Sequence, residues 1–148
     1  MCGAHATVRG LLGELVANSA SGRDIIVDME AGLEHLSRGT GKHVSRFLAV
    51  VEPYYRSMET ARRIVELASE LGIGDVEAVA NKVRDADDRK AIEEFCAAHA
   101  LPVIAEIPYD ATLVASERSG VPPIDANPSA PAVEAVRRLA RVLTSKTG

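Results

Sequence analysis

One stretch in the first third of the chain combines acidic residues and glycines at spacings that phosphate chemistry uses. Residues 28–42 read DMEAGLEHLSRGTGK and directly follow the apolar run Asp24–Val27. An aspartate that ends an apolar strand can hold magnesium beside a phosphate, and Gly32 would let the backbone approach that phosphate closely. Asp28 can equally cap the turn that follows it, and the residues alone leave both interpretations open.

The glycine–lysine pair at the end of this stretch does not fit a phosphate-binding loop. A Walker loop requires G-x-x-x-x-G-K-[ST] between a strand and a helix. His43 follows Lys42, Leu36 stands where the first glycine is needed, and an apolar strand pattern comes next. We therefore interpret GTGK as a loop that leads into a strand.

Four short apolar runs and the helical patterns around them predict the elements that position these residues. The runs are typical of strands buried on both faces of a parallel sheet, because they lack two-residue alternation. The predicted strands cover residues 24–28, 47–51, 76–80 and 103–107. The predicted helices cover about residues 6–16, 57–72, 85–96, 111–119 and 133–143.

This alternation predicts one domain, residues 1–148, with a doubly wound, mainly parallel α/β sheet. In such a sheet ligands bind at the carboxyl ends of the strands. The loops that begin at Asp28, Glu52, Asn81 and Pro108 should therefore share one edge of the sheet. Cys96 lies on the apolar side of its helical pattern, and we expect it in the core.

Composition excludes several classes of protein. The 148 residues carry a net charge of −4, only 3% aromatic residues and no tryptophan, so a nucleic-acid-binding surface is not expected. No apolar run reaches the ~18 residues of a membrane span, and the N-terminus lacks a signal-peptide pattern. We expect a cytoplasmic protein that binds neither nucleic acid nor membranes.

Three motifs resemble a known family. DMEAGLEH after IIV, NKV at Asn81–Val83 and IPYD at Ile107–Asp110 look like the MinD/ParA-type ATPases with a deviant Walker A loop. They look most like the CooC-type maturation ATPases that serve nickel insertion into carbon monoxide dehydrogenase. The resemblance covers nearly the whole chain but only the C-terminal part of such a protein. It implies a P-loop NTPase-like sheet that lacks the N-terminal phosphate-loop strand.

The resemblance implies ATP or ADP with magnesium as the cofactor. Asp28 would be the Walker B-type carboxylate, and the segment from Glu30 to Gly32 would report on the γ-phosphate. Asn81 would contact the adenine edge. The residues leave two alternatives open, namely that Asn81 serves only to form an Asx turn and that Pro108 serves only to break the chain before a helix. The implied cofactor-binding residues are Glu30, Gly32, Asn81, Lys82, Pro108, Tyr109 and Asp110.

The resemblance also implies a metal site at Cys2. Family members carry a C-x-C pair, and two protomers would bring four thiolates around one nickel or zinc ion. Here Met1 precedes Cys2, so a homodimer would offer two thiolates, to which His5 could add a nitrogen. A terminal thiol without a ligand is the alternative, and the sequence leaves it open.

Two functional hypotheses follow from these motifs. In the first, the chain is the C-terminal part of an ATP-dependent metallochaperone that acts as a homodimer on carbon monoxide dehydrogenase. In the second, it is a non-catalytic binding or regulatory module of the same fold that docks on a partner protein. The family's phosphate loop does not occur in these 148 residues, so we expect no enzyme-like ATP hydrolysis by the chain alone and a tendency to self-associate.

Overall fold

The computed structural model describes Glu14, residues 25–28 and residues 46–145. In this part of the chain three strands form one parallel sheet in the order β1-β2-β3. The strands are β1 (Phe47–Val51), β2 (Val76–Val83) and β3 (Val103–Pro108). The helices are α1 (Tyr55–Glu70), α2 (Ala86–Ala98), α3 (Ala111–Ser119), α4 (Pro123–Ala126) and α5 (Pro131–Ser145). The predicted α/β class with a parallel sheet is confirmed.

Contacts divide the chain into two compact units. One contains residues 1–47 and 63–76, and the other contains residues 48–62 and 77–148. In the first unit, Arg46 Nε donates to Asp75 Oδ2 at 3.2 Å, and Phe47 N donates to Asp75 O at 2.8 Å. The second unit contains all the cavity residues discussed below. The assignment of residues 1–148 to a single domain stays a prediction.

Residues 25–28 do not form the strand that their apolar sequence predicts. They carry no regular secondary structure, and Ile25 and Ile26 are 40% and 90% exposed. A strand of a parallel sheet needs a hydrogen-bonded neighbour and cover on both faces, and Ile26 has no such cover. The prediction was therefore wrong at these residues. Of the predicted N-terminal helix only Glu14 is described, and it is helical; GTGK lies outside the described residues.

The core of the second unit lies between the central strand and the helices. Ala78, Val79 and Ala80 of β2 are buried, and so are Ile92 and Cys96 of α2. The expected place of Cys96 in the core is confirmed, and burial raises the pKa of its thiol. Cys96 is thus an inert core residue, because its thiol stays protonated at neutral pH.

α2 is capped at its N-terminus and joined to the sheet by an ion pair. Its N-cap is Asp85, as predicted, whose Oδ1 accepts a hydrogen bond from Asp88 N at 2.9 Å. Arg89 of α2 forms a bidentate ion pair with Glu106 of β3, with Nη2 donating to Oε1 at 2.7 Å, and this pair lowers the pKa of Glu106.

Among the residues that the structure describes, no helix combines the length and apolar character that crossing a bilayer requires.

We predict that Ile92→Ala destabilises the fold by about 2–5 kcal/mol, because it leaves a cavity beneath α2 where the side chain is now fully buried. Urea unfolding followed by circular dichroism measures the change. Exposed Glu93 on the same helix provides the control, since Glu93→Ala should change the free energy of unfolding by no more than about 0.5 kcal/mol. Equal losses for the two variants would contradict the burial of Ile92.

Candidate functional site

A cavity of about 390 Å³ opens where β2 and β3 end, at their carboxyl edge. Its volume lies within the range of small-molecule sites, which is roughly 300–1,000 Å³. Five of the residues that the family resemblance implied for cofactor binding line it, namely Asn81, Lys82, Pro108, Tyr109 and Asp110. The rest of the lining is mostly apolar and consists of Ile107, Leu113, Val114, Glu117 and Pro123.

A bulge at the end of β2 explains how two consecutive residues reach the same cavity. Asn81 pairs with Ile107 and Val83 pairs with Pro108, so Lys82 is an extra residue in the register. Its φ of 57° lies in the left-handed region, which costs a residue with a β-carbon about 1–3 kcal/mol. Neighbours in a regular strand point to opposite faces, whereas a bulge redirects a side chain. The bulge therefore allows both Asn81 and Lys82 to line the cavity.

The strand that contains the bulge, β2, extends further than the sequence predicted. The sequence placed the end of this strand at residue 80, with a loop from Asn81 onwards, but β2 continues through Val83. Pairing with β3 extends it, because β3 itself runs through Pro108 and Tyr109 N donates to Val83 O at 2.9 Å. Asn81 thus lies within a strand and not in a free loop.

Lys82 is held by an acidic residue that follows a different strand. Its Nζ lies 2.6 Å from Oε1 of Glu52, which directly follows β1. The hydrogen bond to Glu52 is the largest cause that raises the pKa of Lys82, and the charge of Glu117 adds to it. Glu52 is itself fixed, because its backbone N–H donates to Ser57 Oγ at 2.9 Å. The cavity therefore contains an ammonium group that stays charged at neutral pH.

Asp110 lines the cavity and accepts hydrogen bonds from residues of two helices, α3 and α5. It is the N-cap of α3, and its Oδ1 accepts from Thr112 N at 2.9 Å and from Thr112 Oγ1 at 2.6 Å. Its Oδ2 accepts from Ala132 N, near the start of α5, at 3.4 Å. The hydrogen bonds from Thr112 are the largest cause that lowers the pKa of Asp110. Both carboxylate oxygens thus already position structural elements.

Tyr109, which lines the cavity, contacts Arg84, and Arg84 contacts Tyr54 in turn. Arg84 Nη2 donates to Tyr54 Oη at 2.8 Å, and the guanidinium carbon lies 5.2 Å from the ring centroid of Tyr109. Sequence reasoning assigned no role to Arg84, Glu52 or Glu117. Glu52 and Arg84 each directly follow a strand that ends at this edge, and that position is the signal that could have found them.

The remaining predicted site residues all fall within residues 1–47, which belong to the first unit. Asp28 is exposed and belongs to the first unit, whereas Cys2, His5, Glu30 and Gly32 lie outside the described residues. Within the described ranges, no three histidine, cysteine, aspartate or glutamate side chains form a group that could hold a metal ion. The roles of these residues stay predictions.

The fold is that of the MinD-like P-loop NTPases. Over 95% of this chain and 61% of the other, it is similar to the MinD cell division protein of Aquifex aeolicus, with a TM-score of 0.74 and 22% identity. A chain of the MinC:MinD cell division protein complex of the same organism gives a TM-score of 0.71 over 93% of this chain and 59% of the other, again at 22% identity. At this identity the similarity defines the fold alone.

Sequence similarity identifies closer relatives. An uncharacterized ATP-binding protein of Methanocaldococcus jannaschii is 37% identical over 82% of this chain and 47% of its own length. The carbon monoxide dehydrogenase accessory protein CooC of Rhodospirillum rubrum is 34% identical over 87% of this chain and 48% of its own length. No protein-family model matches. The chain is a homologue of both proteins and spans about half of the length of each.

We predict that Asp110→Ala lowers the free energy of unfolding at pH 7 by about 0.5–2 kcal/mol, because it removes the cap of α3, whereas Asp110→Asn retains a capping oxygen. The folded-state pKa of Asp110 lies below its ordinary value of 3.8, so its stabilising effect is present above that value. The effect is lost as the pH falls through the folded-state pKa.

Urea unfolding of the three proteins at pH 7, 5 and 3 measures this dependence. The difference in free energy of unfolding between the unchanged chain and Asp110→Ala should be smaller at pH 3 than at pH 7. The difference between Asp110→Asn and Asp110→Ala should be the same at all three pH values. If the difference in free energy of unfolding between the unchanged chain and Asp110→Ala does not depend on pH, the ionised carboxylate does not make the expected contribution.

Proposed function

We propose that this chain supplies the nucleoside-binding part of a CooC-type accessory ATPase that serves nickel insertion into carbon monoxide dehydrogenase. The observation that carries the proposal is the cavity between the ends of β2 and β3, which is lined by Asn81, Lys82, Pro108, Tyr109 and Asp110. Its relatives support the nucleotide and the partner, since one is described as ATP-binding and another as a carbon monoxide dehydrogenase accessory protein.

The lining of the cavity suits the nucleoside part of ATP or ADP. The amide of Asn81 offers both a donor and an acceptor, which is the pair that the adenine edge requires. Pro108, Leu113 and Val114 supply apolar surface for the faces of a base. Glu117 is an acceptor that ribose hydroxyls could use, and the ammonium of Lys82 adds positive charge close to an anionic ligand.

The family resemblance also implies residues that act on the phosphates of the nucleotide. In this proposal Asp28 binds magnesium through water, and Glu30 and Gly32 respond to the terminal phosphate. Magnesium would neutralise charge on the phosphates when bound. The proposal further includes a cytoplasmic homodimer in which Cys2 of each protomer binds the nickel cargo or a zinc ion.

We predict that the 148-residue chain binds adenosine and ADP, and that Asn81→Ala raises both dissociation constants about tenfold because hydrogen bonds to the base are lost. Isothermal titration calorimetry measures both affinities. Asn127→Ala is the matched control, because Asn127 ends α4 and does not line the cavity. Absence of adenosine binding, or equal affinities for the two alanine variants, would rule out the proposed nucleoside site.

We predict further that the chain alone, with ATP and magnesium, hydrolyses ATP no faster than the uncatalysed background. Phosphoryl transfer depends on a phosphate-binding loop, and G-x-x-x-x-G-K-[ST] does not occur in the 148 residues. Phosphate release measured with and without protein tests this, with Asp28→Asn as the comparison. Turnover by the unchanged chain that Asp28→Asn abolishes would show that these residues suffice for catalysis and would overturn the prediction.

A further inference from the structure

Arg84 connects the segments that follow all three strands of the sheet. It comes directly after β2, while Tyr54 lies between β1 and α1 and Tyr109 directly follows β3. Its guanidinium carbon lies 5.8 Å from the ring centroid of Tyr54 and 5.2 Å from that of Tyr109. Both distances are short enough for a cation to interact favourably with an aromatic ring. One arginine therefore contacts two exposed tyrosine rings at the carboxyl edge of the sheet.

Hydrogen bonds of both its backbone and its side chain fix the position of Arg84. Its backbone N–H donates to Asp88 Oδ2 at 3.0 Å, and its Nη2 donates to Tyr54 Oη at 2.8 Å. Asp88 is held in turn, because its own N–H donates to Asp85 Oδ1 at 2.9 Å. The guanidinium is thus held in place before any ligand arrives, although it is largely exposed to solvent.

Tyr109 is the member of this cluster that lines the cavity. Its backbone is fixed by the hydrogen bond to Val83 and by the cap that Asp110 gives to α3. Its side chain, however, is 45% exposed, so packing alone does not hold the ring. The guanidinium of Arg84 lies over this ring, and it restricts the orientations that the ring can adopt.

We propose that Arg84 is a positioning residue for the nucleobase, because with Tyr54 it holds the ring of Tyr109 as one wall of the cavity. This inference rests on the proposed nucleoside site. Arg84 would then affect the affinity for the base and ribose and would not touch the phosphates. Its hydrogen bond to Tyr54 and its proximity to Asp88, with Nη1 3.8 Å from Oδ2, direct the guanidinium towards protein groups.

Conservative variants isolate this role. Arg84→Lys keeps the charge but loses the planar guanidinium that spans the two rings, and Tyr54→Phe keeps the ring but loses the hydroxyl that accepts from Arg84. Each should raise the dissociation constants for adenosine and for ADP by the same factor, about three- to tenfold. Arg138→Lys, on the exposed side of α5, is the control and should leave both constants unchanged.

A double-mutant cycle tests whether Arg84 acts through Tyr109. Tyr109→Leu removes the ring, so adding Arg84→Lys to it should weaken adenosine binding no further. Tyr109→Phe, which retains the ring, should bind adenosine nearly as the unchanged chain does. Thermal unfolding of each variant, followed by circular dichroism, ensures that affinities are compared between folded proteins.

The outcomes separate this inference from the proposed function. If the unchanged chain does not bind adenosine, the proposed function is wrong and this inference fails with it. If the chain binds adenosine but Arg84→Lys and Tyr54→Phe bind it equally well, only this inference is wrong. A greater loss for ADP than for adenosine in Arg84→Lys would make Arg84 a phosphate-binding residue and would also overturn it.

Discussion

The parallel pairing of β2 with β3 is the constraint on which the candidate site depends. The two strands stay paired up to Val83 and Pro108, and near that end Lys82 is an extra residue on β2. Another register shift lies further back in the pairing, between Ala78 and Val79. Because the pairing resumes after the bulge, the chain cannot relax the left-handed backbone of Lys82 without breaking the ladder. The strain is therefore maintained by the sheet, and it gives the cavity an amide and an ammonium from adjacent residues.

The side chains around the cavity connect segments that are far apart in the sequence. Glu52 after β1 pairs with Lys82, and Arg84 after β2 contacts Tyr54 and Tyr109. The charged side chains in these contacts are 27% to 52% exposed, so each contact would contribute little to stability by itself. Their shared effect is to fix the position of groups at the ligand edge, where positioning matters more than stability. A parallel sheet makes this possible because its strands end side by side.

The sequence predicted the three strands of the sheet and helices α1, α2, α3 and α5 to within a few residues, but not the short α4. The residues near the ends of β2 and β3 that the family resemblance implied for cofactor binding lie around one cavity, and their role stays a prediction. Strands and helices could be predicted because apolar runs and helical spacing reflect burial, which the residues themselves encode. Residues 25–28 were a clear exception, since Ile25 and Ile26 have the composition of a strand but are exposed and irregular. Strand propensity depends on what packs against the strand, and that partner is not encoded within the segment.

The sequence by itself determined the α/β class, the N-cap at Asp85 and the burial of Cys96, and its motifs NKV and IPYD contain six of the residues that line the cavity. Only the tertiary structure decided the bulge at Lys82, the use of both Asp110 oxygens in positioning helices, and the contacts of Arg84. The physical reason is separation along the chain. Local patterns report burial and capping, whereas the hydrogen bond between Arg84 and Tyr54 joins residues 30 positions apart and exists only once the strands have paired.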